Sequence, residues 1–129
     1  MPAAAIYVVA IVDDDNRIIA SLGSLLESAG YDVRLYSSAE KLLGNDSLIK
    51  ELDCLISDID MPVVDGFELR RAAKSVKPGL PVILITARSD LAAQARTSGL
   101  PADRLFMKPF DGSDLLSAVG KAVGAPPQY

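Results

Sequence analysis

Residues 54–62 read CLISDIDMP: an apolar run with strand character that halts on Asp58, adds a second carboxylate at Asp60 and meets Pro62. Proline lacks the N–H that a continuing ladder needs, so the strand must stop here. A chain that spends a buried strand on ending with two acids is placing them, and the rest of the sequence shows where.

Apolar, β-branched runs recur at residues 6–12, 32–36, 54–57, 82–85 and 104–107, each followed by a segment with helical character. The runs are nearly all apolar rather than alternating, which indicates a parallel sheet covered on both faces. This predicts an α/β, doubly wound domain of five βα units in three layers. The expectation is one domain over residues 1–129, with its core in 6–123 and a proline-bearing tail at 124–129.

The helical segments differ in how firmly they are marked. In the first, Ile18, Leu22, Leu25, Leu26 and Ala29 repeat at helical spacing and stop at Gly30, a suitable C-terminal cap. The second is expected to open at Ser37 with Glu40 three residues on, a capping box. In the third, Asp65 precedes Gly66, and Leu69, Ala72, Ala73 and Val76 form one stripe before Pro78. The fourth, Ser89 to Ser98, offers only Leu91, Ala92 and Ala95 as apolar contacts and should be held least firmly. The last runs from about Ser113 to Val123, with Leu115, Leu116, Val119 and Val123 inward.

Composition excludes whole classes of chemistry. Half of the 129 residues are hydrophobic and 23% are charged, enough for one real core. The net charge of −4 leaves no basic face for a phosphate backbone, so direct DNA or RNA binding is not expected. The sequence has no histidine, which removes Ser-His-Asp triads and histidine-rich zinc sites; any metal must be held by oxygen. Cys54 is the single cysteine, read as a small buried hydrophobe in a reducing, cytoplasmic setting. The opening MPAAAIYVVAIV is too short to span a bilayer and lacks a positive leading segment, so it reads as a first strand and no membrane association is expected.

Ligands of such sheets bind at the carboxyl ends of the strands, near the point where strand order reverses. The first run ends on Asp13-Asp14-Asp15, the third on Asp58, the fourth on Thr86 and the fifth on Lys108. Singly, each has a plain structural role: Asp14 or Asp15 can cap a helix, Asp58 can start a turn, Thr86 can satisfy backbone and Lys108 can be solvated. Parallel topology brings all of them to one crevice, and that coincidence favours a site.

Two unit charges about 4 Å apart at an effective dielectric of 20 repel by roughly 4 kcal/mol, so crowding Asp13, Asp14 and Asp58 requires compensation. A hard dication supplies it, and a small all-oxygen set suits Mg²⁺ or Mn²⁺. A dication, the Lys108 ammonium and the Thr86 hydroxyl around one carboxylate are what an incoming phosphoryl group needs, with Asp58 attacking phosphorus.

The pieces IVDDD (11–15), ISDIDMPVVDG (56–66), LITA (84–87) and FMKPF (106–110) resemble, in order and spacing, the receiver domain of two-component response regulators, over residues 6–123. The resemblance implies a flavodoxin-like fold with strand order 2-1-3-4-5. It also implies a signalling phosphoacceptor rather than an enzyme, charged by a sensor histidine kinase or a histidine phosphotransfer protein. By position, Asp58 matches the phosphorylated aspartate, Asp13 and Asp14 the acidic pair, and the Asp60 backbone carbonyl the third metal ligand. Asp14 and Asp58 are implied to touch the metal directly and Asp13 mainly through water.

Thr86 matches the hydroxyl residue that follows the phosphoryl oxygens, Ala87 the small residue beside them, and Lys108 the cation, joined to Pro109 by a bond the family makes cis. The output is implied to lie in protein contacts on the face of the fourth helix, fifth strand and fifth helix, which leaves room for a phosphorylation-dependent homodimer. Leu105 departs from the pattern, since the family usually carries Tyr or Phe there. Phe106 should face the opposite side, because strand neighbours alternate. Asp60 and Arg88 stand two residues beyond acceptor and hydroxyl, and are expected to pair across the mouth of the site and slow loss of the phosphoryl group.

Two competing readings are weaker. DID at 58–60 also resembles the nucleophile motif of haloacid-dehalogenase-type phosphatases, but there the acidic pair comes last in the chain and here it comes first. A flavin binder of the same fold needs a phosphate loop after the first strand, where three aspartates would repel phosphate. No effector segment follows within the 129 residues, so the expectation is a free-standing receiver or a piece of a longer regulator or hybrid kinase.

Overall fold

A computed structural model describes residues 6–124. The tail expected beyond Gly124 and the first five residues of the opening run lie outside the described residues. Five strands, β1 (Val8–Val12), β2 (Asp32–Tyr36), β3 (Cys54–Asp58), β4 (Val82–Thr86) and β5 (Leu105–Met107), form one parallel sheet in the order β2-β1-β3-β4-β5. The helices are α1 (Asn16–Ser28), α2 (Asp46–Glu51), α3 (Gly66–Val76), α4 (Ser89–Thr97) and α5 (Gly112–Val123).

Alternation along each strand divides the apolar residues into two cores. Val9, Ile11, Cys54, Ile56, Ile83 and Ile85 point to one face, where Ile19, Leu22 and Leu26 of α1 and Leu115 and Val119 of α5 cover them. Ala10, Val12, Leu55, Val82 and Leu84 point to the other, beneath Ile49 of α2, Leu69 and Ala73 of α3 and Ala95 of α4. With both faces covered, β3 and β4 are buried along their whole length, which explains why neither run alternates in sequence.

Four strands and one helix depart from expectation. The first strand begins at Val8 rather than residue 6, and its backbone N–H donates to Asp53 Oδ2 at 2.8 Å. The third and fourth strands each run one residue further, taking in Asp58 and Thr86. The fifth starts at Leu105, because Ala102–Arg104 form a 3-10 turn.

The largest difference is the second helix. The capping box expected at Ser37 does not open it: Ala39–Lys41 make only a 3-10 turn whose cap, Ser38, forms no side-chain hydrogen bond. Gly44 then takes φ 76°, the left-handed conformation that ends a turn, and Asn45 accepts from the Leu48 N–H to start α2 afresh. Two local caps in tandem outcompete one continuous helix.

Candidate functional site

Register builds the site. Val12 pairs with Ser57, so the next residues, Asp13 and Asp58, emerge side by side at the same rim. Asp58 pairs with Ile85 and Thr86 with Met107, which brings Thr86 and Lys108 to the same edge; the Lys108 N–H donates to the Thr86 carbonyl at 2.8 Å. One carboxylate oxygen from each of Asp13, Asp14 and Asp58 lies within 4.8 Å of the others. Asp13 and Asp58 are buried and Asp14 is exposed, so the cluster opens to solvent on one side. An all-oxygen set with two acids held in the protein and one at the surface fits a hard dication that keeps part of its water.

Lys108 answers the charge from the opposite side. Its Nζ donates to Asp13 Oδ2 at 3.0 Å and stands 3.7 Å from Asp58 Oδ1. Burial disfavours the ammonium, yet the hydrogen bond and charge of Asp13, with the charge of Asp58, outweigh it and hold Lys108 above its usual pKa. The other Asp13 oxygen accepts the Asp15 N–H at 2.9 Å, so Asp13 is fixed from both sides. Asp58 is pushed up to about 6 by burial and then by the neighbouring Asp13 charge, against the opposing pull of Lys108. The Lys108–Pro109 peptide is cis.

Asp15, rather than Asp14, caps α1 by accepting the Arg17 N–H at 2.9 Å, which leaves Asp14 free for the acidic cluster. Thr86 is fully buried, and its Oγ1 accepts the Arg88 N–H at 3.0 Å. Leu105 packs into the core beneath α3 and α4, whereas Phe106 faces the opposite core and meets Phe110 at a ring separation of 5.4 Å. Arg88 reaches Asp60 at 3.5 Å, but its guanidinium also engages Asp90 through Nε at 3.2 Å and Nη2 at 2.7 Å. Sequence reading overlooked Asp90, whose position two residues after Arg88 was the available signal.

Three further features were not read from the sequence. A Cβ on Gly66 would meet the Asp58 carbonyl oxygen and lie 2.8 Å from Ile59 Cα, so only glycine lets α3 begin against the end of β3. Val63 takes φ 69° with its side chain 82% exposed, and the Val64 N–H donates back to the Pro62 carbonyl at 2.8 Å, a γ-turn of the rarer, strained hand. Ile18 and Leu25, part of the apolar repeat of the first helix, are half-buried; with Leu22, Ala87, Pro109 and Phe110 they line a groove of about 740 Å³ that also reaches Lys108.

A parallel sheet of order 2-1-3-4-5 with three acids, a buried threonine and a lysine at its switch-point rim defines the receiver class of signalling domain. The model of the response regulator receiver domain matches residues 9–120, and the chain belongs to that family. It is 35% identical over 121 residues to the response regulator protein TodT of Pseudomonas putida, covering 94% of this chain and 53% of that protein. It is 37% identical over 126 residues to the DNA-binding transcriptional regulator NtrC of a Bradyrhizobium strain, covering 98% of this chain and 25% of the relative. A receiver domain crystal structure from Clostridium thermocellum superposes with a TM-score of 0.82 at 27% identity, covering 92% and 95% of the two chains. The chain thus spans about half the length of TodT and a quarter of NtrC. The family match lends the dehalogenase-type phosphatase reading no support.

Proposed function

We propose that this receiver takes a phosphoryl group on Asp58 from the phosphohistidine of a sensor kinase or phosphotransfer protein and signals through altered protein contacts. One observation carries the reading: acids from the ends of β1 and β3 converge within 4.8 Å, with the Lys108 ammonium 3.7 Å from Asp58. In the transfer, an Asp58 carboxylate oxygen bonds to phosphorus as the phosphorus–nitrogen bond breaks. The imidazole leaves with the electron pair and takes its proton from solvent. The chain's lack of histidine is consistent with a donor that brings its own.

Asp14 and Asp58 would hold Mg²⁺ directly, with the Asp60 carbonyl as a further ligand and Asp13 acting through water, since both Asp13 oxygens already accept N–H donors. The bound ion neutralises the charge gathered on the acids and the phosphoryl oxygens. Lys108 shifts from Asp13 toward a phosphoryl oxygen, Thr86 exchanges its Arg88 partner for another, and Ala87 leaves room for both. Asp60 and Arg88 cover the mouth of the site and restrain hydrolytic water. The apolar groove between α1 and Phe110 gives the donor a surface beside Asp58.

The output side is α4, β5 and α5. Among its apolar residues α4 buries only Ala92 and Ala95 fully, so its position is the least costly to change. Leu105 half-fills the space beside it and supplies a rotamer change in place of an aromatic swing. We further propose that residues 1–129 form one such domain, working in the cytoplasm; among the described residues, no helix is long and apolar enough to cross a membrane. Incubation with Mg²⁺ and a small phosphodonor, followed by mass mapping, tests the reading: one phosphoryl group on Asp58, retained in Ser57→Ala and lost in Asp58→Asn. Labelling elsewhere, or in Asp58→Asn, would refute it.

A further inference from the structure

The rim of the sheet opposite Asp58 carries a concentration of charge that the phosphoryl chemistry does not use. Lys74, in the last turn of α3, donates from Nζ to the Leu80 carbonyl at 3.0 Å, which sets its ammonium at the entrance to β4. Arg104 ends the 3-10 turn that leads into β5, the strand next to β4, and by register it stands beside Ile83. Arg70 is one helical turn before Lys74 on the same side of α3. All three side chains belong to half-buried residues.

Most cations of this chain form no ion pair among the described residues, but only Arg70, Lys74, Lys77 and Arg104 are both unpaired and half-buried, and Lys77 is taken up by the Lys50 and Leu52 carbonyls. Burial, and then the positive charges of Arg70 and Arg104, hold the Lys74 ammonium below its usual pKa, with no carboxylate offsetting them. Three half-buried cations close enough to act on one another, with no carboxylate among them, mark this patch within a protein of net charge −4.

We propose that Arg70, Lys74 and Arg104 form a docking surface for an acidic segment of a partner protein, separate from the phosphoacceptor site. The cations sit on two elements and extend back along α3 from the rim rather than clustering around a point. Arg70 and Lys74 are about one helical pitch, 5.4 Å, apart along α3, a step that suits successive carboxylates better than a single phosphate. Each guanidinium offers a planar fork to a carboxylate, and Lys74 keeps two N–H donors beyond the one given to Leu80. A nucleic acid is the poorer occupant, because its continuous charge would run from this patch onto an otherwise acidic surface.

Fluorescence anisotropy of a labelled oligoglutamate peptide against the full chain tests this. The wild type should bind in a salt-sensitive way, and Arg70→Ser with Arg104→Ser should bind roughly fivefold more weakly, as expected for two exposed pairs. Arg96→Ser with Lys121→Ser, which removes the same charge elsewhere, should bind like the wild type. Circular dichroism reports folding; if the double variant does not fold, Lys74→Gln takes its place and must also bind more weakly. No binding by the wild type, an equal loss in the control variant, undiminished binding in the folded test variant, or preference for a single-stranded oligonucleotide would each overturn the proposal.

Discussion

The Lys108 ammonium lies nearer to Asp13, at 3.0 Å, than to Asp58, at 3.7 Å. It rests on one acid while remaining close to the other, so it lowers the cost of the Asp58 charge without a direct hydrogen bond to it. Removing it should show both effects. In Lys108→Met the Asp58 pKa should rise above about 6, because the cation opposing the Asp13 charge is gone. Phosphoryl uptake from a small donor should slow by about a hundredfold to a thousandfold, the usual cost of losing one preorganised electrostatic donor. An NMR pH titration and a time course of mass gain measure the two.

Asp58 also gives the metal-free protein a definite pH signature. Its pKa rises from 3.8 unfolded to about 6 folded, so between those values the native state holds more protons and stability falls as pH increases. The full loss amounts to up to about 3 kcal/mol above pH 6. Asp15 and Asp90, held below the ordinary range by hydrogen bonds from Arg17 and Arg88, act in the opposite sense in both proteins and cancel in a comparison. Asp58→Asn should therefore be more stable than wild type at pH 7 without metal and equal to it near pH 3.5, as measured by urea unfolding across pH.

Divalent cations should offset part of that penalty. Mg²⁺ at ten times its dissociation constant contributes about 1.4 kcal/mol to a native state that alone binds it. Asp14 is exposed and its charge adds to the repulsion on Asp58, so Asp14→Asn should leave the metal-free melting temperature at or slightly above wild type and abolish the Mg²⁺-dependent increase. Thermal unfolding with and without Mg²⁺ is the measurement.

Arg88, which precedes α4, is shared between Asp60 and, in the first turn of α4, Asp90. If the Asp60 contact guards the phosphoryl group, Arg88→Ala should lose phosphate faster than wild type. Asp90→Asn, which leaves Asp60 as the remaining partner, should lose it more slowly. Exposed pairs of this kind contribute little, so each change should be about twofold to fivefold. Equal decay rates in all three proteins would remove Arg88 from any protective role.

Gly66 is the point where α3 touches the backbone at the end of β3. A methyl group there meets Asp58 and Ile59 main-chain atoms rather than a flexible side chain, so the helix must move. Gly66→Ala should cost about 2 kcal/mol in urea unfolding and reduce phosphoryl uptake at Asp58, even though alanine is the better helix former.

How far the sequence was legible depended on what a pattern encodes. Asp13, Asp14, Asp58, Thr86 and Lys108 could be read because each ends an apolar run, and parallel strands deliver their ends to one rim. Periodicity along α1 identified Ile18 and Leu25 as one apolar stripe, but it could not say that the stripe is wider than the core and opens into a groove. The capping signal at Ser37 and Glu40 was sound locally, yet it lost to the pair formed by Gly44 and Asn45. Nothing along the chain related Arg104 to Lys74 across the intervening residues.

The order of apolar runs, the turn residues and the acids at strand ends settled the fold and the chemical character of this receiver, since burial and strand direction are properties of short segments. Only the folded chain decided which acid Lys108 rests on, how Arg88 divides itself between Asp60 and Asp90, and which cations find no counter-charge. Those choices depend on distances between side chains from separate elements. They are set by register and rotamer, where the competing arrangements differ by about 1 kcal/mol.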